Sequence, residues 1–429
     1  MAFPFRRTGD GAVGDFLLRH RLCASVFDWE EQLALFLREM DRVRAGSPGS
    51  IAMIPTTLDI RECPEERLTV TAIDIGGTNV RSAIVTMGGG GAPEIVRLPS
   101  FKTPGIGRRL STREFFRIIA TGVAEQLTEN PIGICFSLAA RPLPDGDVVV
   151  TAGAKQLDIP DLVGSRVGAS FRTAASELGL PCGQRIAVIN DTVAAALGGR
   201  FDARGSGYSG FVGFIYGTGT NIAYQEPSGA IINVESGAYC GFPTGDIDDL
   251  YDRQHIDPGR DRFEKMVSGG YQGGLMTLVL EAAEVEGLLS RGFSQRLSAS
   301  LAGETLGSAD ISAFAADPTG RGRIASSCAC ERDRDVVASI CEAMTERSAL
   351  LCSVTITAAL LRAQIGTSAS APAFITAEGS TYLKQKGFRE MLDFYMCEYA
   401  EKRRGLHCEF HPIPDVVLKG TAIAAIEHD

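Results

Sequence analysis

No apolar run in this 429-residue chain approaches the roughly 18–20 residues needed to cross a bilayer, and Met1 to Arg21 mixes Arg and Asp with apolar residues where a secretory leader would be continuous. Histidine is scarce: the five present form no metal-ligand cluster, and no Ser/His/Asp order stands out. The 11 cysteines are scattered singly, and their odd number leaves at least one unpaired. The only close pair, Cys328 and Cys330, lacks a second pair or a His at zinc spacing, so buried thiols in a reducing cytoplasm are expected. Positive charge is in deficit, with 42 Lys plus Arg against 52 Asp plus Glu and a net charge of −10. That excludes a protein gripping a long nucleic-acid backbone through Lys/Arg patches, and no basic helix-turn-helix segment is evident. A Walker A loop is absent, as is a G-x-G-x-x-G opening a helix after a strand, which removes the P-loop and Rossmann readings. What remains is 45% hydrophobic and 22% charged, enough for large cores in about two or three domains.

Asp28 to Val43 places Trp29, Leu33, Leu35, Phe36 and Met40 at helical spacing and stops at a Gly/Ser/Pro stretch, Ala45 to Ser50. Leu68 to Ile75 is a strand rich in β-branched residues. The turn Gly76-Gly77-Thr78-Asn79 returns it into a second strand, Val80 to Met87. The figure recurs about 140 residues later, where Phe211 to Tyr216 passes through Gly217-Thr218-Gly219-Thr220-Asn221 into Ile222-Ala223-Tyr224. Between the two units lie apolar strands at Ile132 to Leu138 and Arg185 to Ile189, the latter followed by a helix over Val193 to Leu197. Beyond them helices are expected at Phe263 to Glu286, Asp333 to Gln364 and Tyr382 to Glu398, and short strands at Ala373 to Thr376 and Val416 to Leu418. Alternating strands and helices imply an α/β fold with buried sheets.

Gly/Thr turns let backbone N–H groups approach an anion without Cβ interference. Two of them, with Asp74 ending the first strand, would clamp a polyphosphate, and Asp74 would hold Mg²⁺ directly or through water. Asp191 sits at a strand–helix junction, where it reads either as a helix N-cap or as a general base for phosphoryl transfer. Glu235 and Glu264 read either as solvated loop carboxylates or, with Asn190 and Asn221, as acceptors for vicinal sugar hydroxyls.

Taken together, I-D-I-G-G-T-N-V-R (Ile73–Arg81), I-A-V-I-N-D-T-V-A-A (Ile186–Ala195), G-F-I-Y-G-T-G-T-N-I-A-Y (Gly213–Tyr224), I-N-V-E-S-G-A-Y (Ile232–Tyr239) and F-E-K-M-V-S-G-G-Y-Q-G (Phe263–Gly273) resemble, in order, the phosphate, catalytic and sugar segments of the hexokinase family. The likeness runs from Ala52–Leu58 to Leu418–Ala425. It implies a two-lobed actin-like ATPase (ribonuclease H-like) fold whose cleft closes on sugar, and MgATP-dependent phosphorylation of a hexose at its 6-hydroxyl, with glucose the first candidate. It makes Asp191 the general base. Ser137, Lys155, Asn190, Asn221, Glu235 and Glu264 become sugar contacts. Asp74, Gly76, Gly77, Thr78, Asn79, Arg81, Gly217 and Thr218 face phosphates and metal, and Gly379, Ser380 and Gly420 lie on the nucleotide side.

The chain departs from the family pattern at Phe136–Pro142, at Ala152–Leu157, where Ala154 replaces a Thr, and at Ser236, where a Trp is usual. Val416–Thr421 is also poorer in Gly and Ser than the family's segment. These changes leave another hexose (mannose, fructose or an amino sugar) and a non-catalytic hexose sensor as alternatives. The expected smaller lobe covers residues 68–190 with a returning C-terminal helix near 421–429, and residues 1–67 and 191–420 form the larger one.

Overall fold

The computed structural model describes residues 11–56, 66–89, 93–153, 157–203 and 206–426. Two sheets organise it. From edge to edge, the first holds Glu94–Arg97, Asn79–Met87, Leu68–Ile75, Ile132–Phe136 and Ile186–Ile189, with the two-residue strand Phe101–Lys102 also paired to Asn79–Met87. The second holds Ile231–Asn233, Thr220–Gln225, Gly210–Tyr216, Ala373–Glu378 and Cys408–His411, with the two-residue strand Ile54–Pro55 added beyond Ile231–Asn233. In chain order both sheets read third, second, first, fourth, fifth. In both, the first three strands are antiparallel neighbours and the last two run parallel to the first. The recurring Gly/Thr hairpin is therefore the visible part of a duplicated five-strand topology.

In each half the fifth strand leads into a helix that packs on the opposite sheet. Ile186–Ile189 precedes the helix Asp191–Asp202, and a Cβ on Gly213 of the second sheet would lie 2.2 Å from Thr192 O of that helix. Cys408–His411 precedes the helix Val416–Ala425, and a Cβ on Gly133 of the first sheet would lie 2.2 Å from Thr421 O. Leu418, Ala422 and Ala425 join Val70, Ala72 and Val85 in one core. The two helices cross between the sheets, with glycines at the closest points.

The helix Trp29–Arg44 forms as its spacing predicts. Asp28 caps it by accepting from Glu31 N, and Trp29, Leu33, Phe36 and Met40 are buried beneath the second sheet. The 33-residue helix Glu331–Ala363 is long and apolar enough to cross a membrane, but 89% of its most apolar stretch is buried inside the protein, so it serves as a core helix. Its fully buried Arg347 makes a bidentate pair with Asp248 at 2.9 and 3.1 Å.

Several expected elements differ. Val416–Leu418 is the first turn of a helix and not a strand; a three-residue apolar run carries no period that separates the two, and the fifth strand is supplied by Cys408–His411. Phe263–Glu286 divides into Arg262–Val267 and Gly269–Val285 at Ser268, whose ψ of 154° leaves the helical region. Tyr382–Glu398 is broken at Gly387, whose φ is +84°. Among the described cysteines, all unpaired, Cys240 and Cys330 are exposed, contrary to the expectation of buried thiols throughout.

Candidate active site

A cavity of about 440 Å³ opens between the sheets, where the turns, strand ends and helix starts of both halves meet. Most of the candidate residues reach it: Asp74, Gly76, Gly77 and Arg81 from the first hairpin, Ser137, Asn190 and Asp191 from the parallel strands beside it, Gly217, Thr218 and Asn221 from the second hairpin, and Glu235, Glu264, Gly379 and Ser380 from the larger half. Thr78 and Asn79 form the exposed tip of the first turn and do not line the cavity. Gly420 stands apart from it, buried in the middle of the helix Val416–Ala425 against the helix Asp191–Asp202. Its small size serves that crossing. Lys155 lies outside the described residues.

Asp191 is placed by its strand and its helix. Asn190, not Asp191, is the N-cap: its side chain accepts from Thr192 N at 2.9 Å. Asp191 is the first helical residue and accepts from Thr192 N at 2.7 Å and from Thr192 Oγ1 at 3.1 Å. Burial, and then the nearby Asp74, push its carboxyl above the usual range, while hydrogen bonds from Thr192 and Ser137 oppose that shift. A half-buried carboxylate with a raised proton affinity at the end of a strand has what a general base requires.

Asp74 is 4% exposed and faces Arg81 across the first hairpin, where the two are register partners. Arg81 donates from Nε at 2.8 Å, its Nη2 stands 2.7 Å from the same carboxylate oxygen, and its Nη1 is 3.9 Å from Glu378 of the second sheet. Glu378, which precedes Gly379 and Ser380, was given no role by sequence. Burial raises its proton affinity, as do Asp74 and Asp191, against the pull of Arg81. Five carboxylates (Asp74, Asp191, Glu235, Glu264 and Glu378) thus share the cavity, with Arg81 the only cation among its described lining residues.

Such an excess of negative charge fits a site that takes a divalent cation with its ligand. Among the described residues no three His, Cys, Asp or Glu side chains converge as a ready-made metal cage. That fits Mg²⁺, which keeps water and phosphate oxygens around one or two carboxylates. The backbone fits a polyphosphate. A Cβ on Gly77 would meet nothing within 4 Å, so the turn is open to a ligand. Gly379, at φ +121°, brings its chain against Gly217, and a Cβ there would lie 2.3 Å from Tyr216 O.

Glu235 adopts a left-handed backbone conformation (φ 55°, ψ 47°), which turns its side chain at the end of Ile231–Asn233. Burial raises its carboxyl to about 7, opposed by a hydrogen bond from Asn233 and assisted by Asp191 and Asp261. Glu264 accepts from Thr220 N at 3.2 Å and fills a niche that would close if Gly219 or Gly237 carried a Cβ, at 2.5 and 2.9 Å respectively. Gly219 and Thr220 were marked in the sequence only as part of the second turn, and Asn233 was given no role.

The raised Glu235 carboxyl has a consequence for stability. Its proton is held more tightly folded than unfolded, so its contribution is most favourable at low pH and fades as pH rises from about 4.5 through about 7. Glu235→Gln removes the ionisation and should raise stability at pH 8 by about 2–3 kcal/mol, with little change at pH 4. Urea denaturation at the two pH values measures it. A difference that does not grow with pH would refute the shift.

Hexokinase family models match residues 21–201 and 211–426, the second covering half of the chain. The chain belongs to the hexokinase family. Rice (Oryza sativa subsp. japonica) hexokinase-1 is 30% identical over 268 residues, covering 55% of this chain and 52% of the rice protein. Human hexokinase-3 is 27% identical over 385 residues, covering 82% of this chain and 40% of the human protein. This hexokinase-family chain thus spans about half the length of the curated relatives it matches. A hexokinase from Schistosoma mansoni complexed with glucose shares the fold, at a TM-score of 0.77 and 23% identity over 96% of this chain and 98% of that one.

Proposed function

We propose that the chain is an ATP-dependent hexokinase that transfers the γ-phosphoryl group of MgATP to the 6-hydroxyl of a hexose, with glucose the first candidate. The observation that carries this reading is Asp191, a half-buried carboxylate of raised proton affinity that shares one cavity with both Gly/Thr turns, Glu235 and Glu264. Glu235, Glu264, Asn190 and Ser137 orient the sugar hydroxyls. Asp191 accepts the proton of the 6-hydroxyl as its oxygen bonds to phosphorus and the bond to the leaving ADP oxygen breaks. The turns at Gly76–Gly77 and Gly217–Thr218, with Arg81, hold the phosphates. Asp74 and Glu378 hold Mg²⁺ directly or through water, and MgATP, when bound, supplies the phosphoryl group and the metal charge that screens it.

The test is ADP release under MgATP with and without a panel of hexoses, compared by kcat/KM. Sugar-dependent release supports the kinase. Sugar-induced thermal stabilisation without release would favour a hexose sensor. One observation favours a second substrate reading. A cavity of about 40 Å³, apolar apart from Thr56, Asn190 and Asn233, adjoins the site and is lined by Leu138, Ala140 and Pro142 of the altered small-lobe segment. It suits a hexose bearing an acetamido group, whose methyl meets the apolar wall, and the panel includes one.

A further inference from the structure

We propose that Asn221 and Asn233 form a directional hydrogen-bond relay that fixes Glu235 as the ionised, cavity-facing acceptor for a hexose hydroxyl, with Asn233 the positioning residue. The inference rests on the hexose-binding reading of the cavity, which already includes Asn221, and adds Asn233 to it.

The direction follows from backbone chemistry. Asn221 Oδ1 accepts from two main-chain donors, Ile222 N at 2.7 Å and Ser236 N at 3.1 Å, which only an oxygen can do. Its amide orientation is thereby set, and Nδ2 must point the other way. Nδ2 donates to Asn233 Oδ1 at 2.8 Å, so the Asn233 amide is set in turn, and its own Nδ2 donates to Glu235 Oε1 at 2.7 Å. Asn221 and Asn233 are 9% and 5% exposed, so water competes little with these bonds. The relay has an evident need to meet. Glu235 holds a strained left-handed backbone and sits in the field of Asp191 and Asp261, both of which oppose its ionisation. Arg81, the cation described in the cavity, pairs with Asp74 and Glu378 instead. Among the described residues, the donor that supports a charged Glu235 is the Asn233 amide.

The test uses the full chain and Asn233→Ala and Asn233→Asp. The aspartate is isosteric and still accepts from Asn221, but presents an oxygen to Glu235. The Glu235 carboxyl is followed by ¹³C NMR titration, assigned by its loss in Glu235→Gln. The expected midpoint is near 7 in the wild type. It should rise by about one pH unit in Asn233→Ala and by more in Asn233→Asp. At pH 7 the KM for hexose should rise about fivefold in Asn233→Ala and recover by pH 9, with kcat changed much less. A merely structural role would lower the melting temperature without moving the titration. An unmoved Glu235 midpoint in folded Asn233→Asp overturns the relay. A moved midpoint in a chain that shows no hexose affinity leaves the relay in place and overturns the sugar reading alone.

Discussion

Asp191→Ala should lower hexose-dependent ADP release by about 10²–10⁴-fold, the usual contribution of a positioned general base, while hexose affinity changes by less than tenfold. Asp191→Asn should do nearly the same, because it keeps the side chain's shape and its contact with Thr192 but cannot take a proton. Sugar contacts from Glu235 and Glu264 come from other elements and survive either change. Helix capping survives too, since Asn190 is the cap. The pH profile offers a second check. Burial and Asp74 raise the proton affinity of Asp191, so kcat should fall as pH drops through a value above the ordinary aspartate range. Thr192→Val removes one donor that keeps the Asp191 proton affinity down, and should move that limb upward. Full turnover in folded Asp191→Ala, measured by coupled ADP assay and by isothermal titration with hexose, would sink the assignment.

What could be read from the sequence follows a physical division. The hairpins Leu68–Met87 and Gly210–Gln225 were legible because a strand, a short Gly-containing turn and a returning strand are contiguous, and the turn chemistry is local. The outer strands of each sheet were not. Glu94–Arg97 and Cys408–His411 are four residues each and carry no strong alternation of their own; the first is fixed by pairing with Ala83–Thr86 just before it, and the second by Ala373–Thr376, well before it in sequence. The shared five-strand topology therefore showed itself only as a repeated turn. Within the site, Asp191, Glu235 and Glu264 stood out through their junction and breaks, and the family likeness gave them roles. Asn233 had no such mark, because a buried strand asparagine reads as an ordinary polar interruption until its two partners are in place. Glu378 was hidden for a similar reason: its importance comes from Arg81, almost 300 residues earlier on the opposite sheet.

Gly420 carries the other large expected effect, and it concerns the helix crossing rather than the chemistry. A Cβ at Gly420 would lie 1.8 Å from Ala194 O and 2.9 Å from Ala194 Cα, and one at Gly198 of the facing helix would lie 2.3 Å from Val416 O. All of these neighbours are backbone atoms, so no side-chain rotation can relieve the overlap, and the helices Asp191–Asp202 and Val416–Ala425 must separate. Each helix is packed on the opposite sheet, so separation strains both cores at once. Gly420→Val should therefore destabilise the protein by more than about 3 kcal/mol, the upper end for overpacking. Gly420→Ala should show a smaller loss in the same direction, although alanine is the better helix former by about 1 kcal/mol. Asp191 begins one of the two crossing helices, so a shifted crossing also displaces the base relative to Asp74 and the first Gly/Thr turn. The folded fraction of Gly420→Ala should then lose kcat while its KM for hexose stays nearly unchanged. Denaturation curves together with kinetics on the folded fraction measure both effects. Wild-type stability in Gly420→Val would show that the helices do not meet at this glycine.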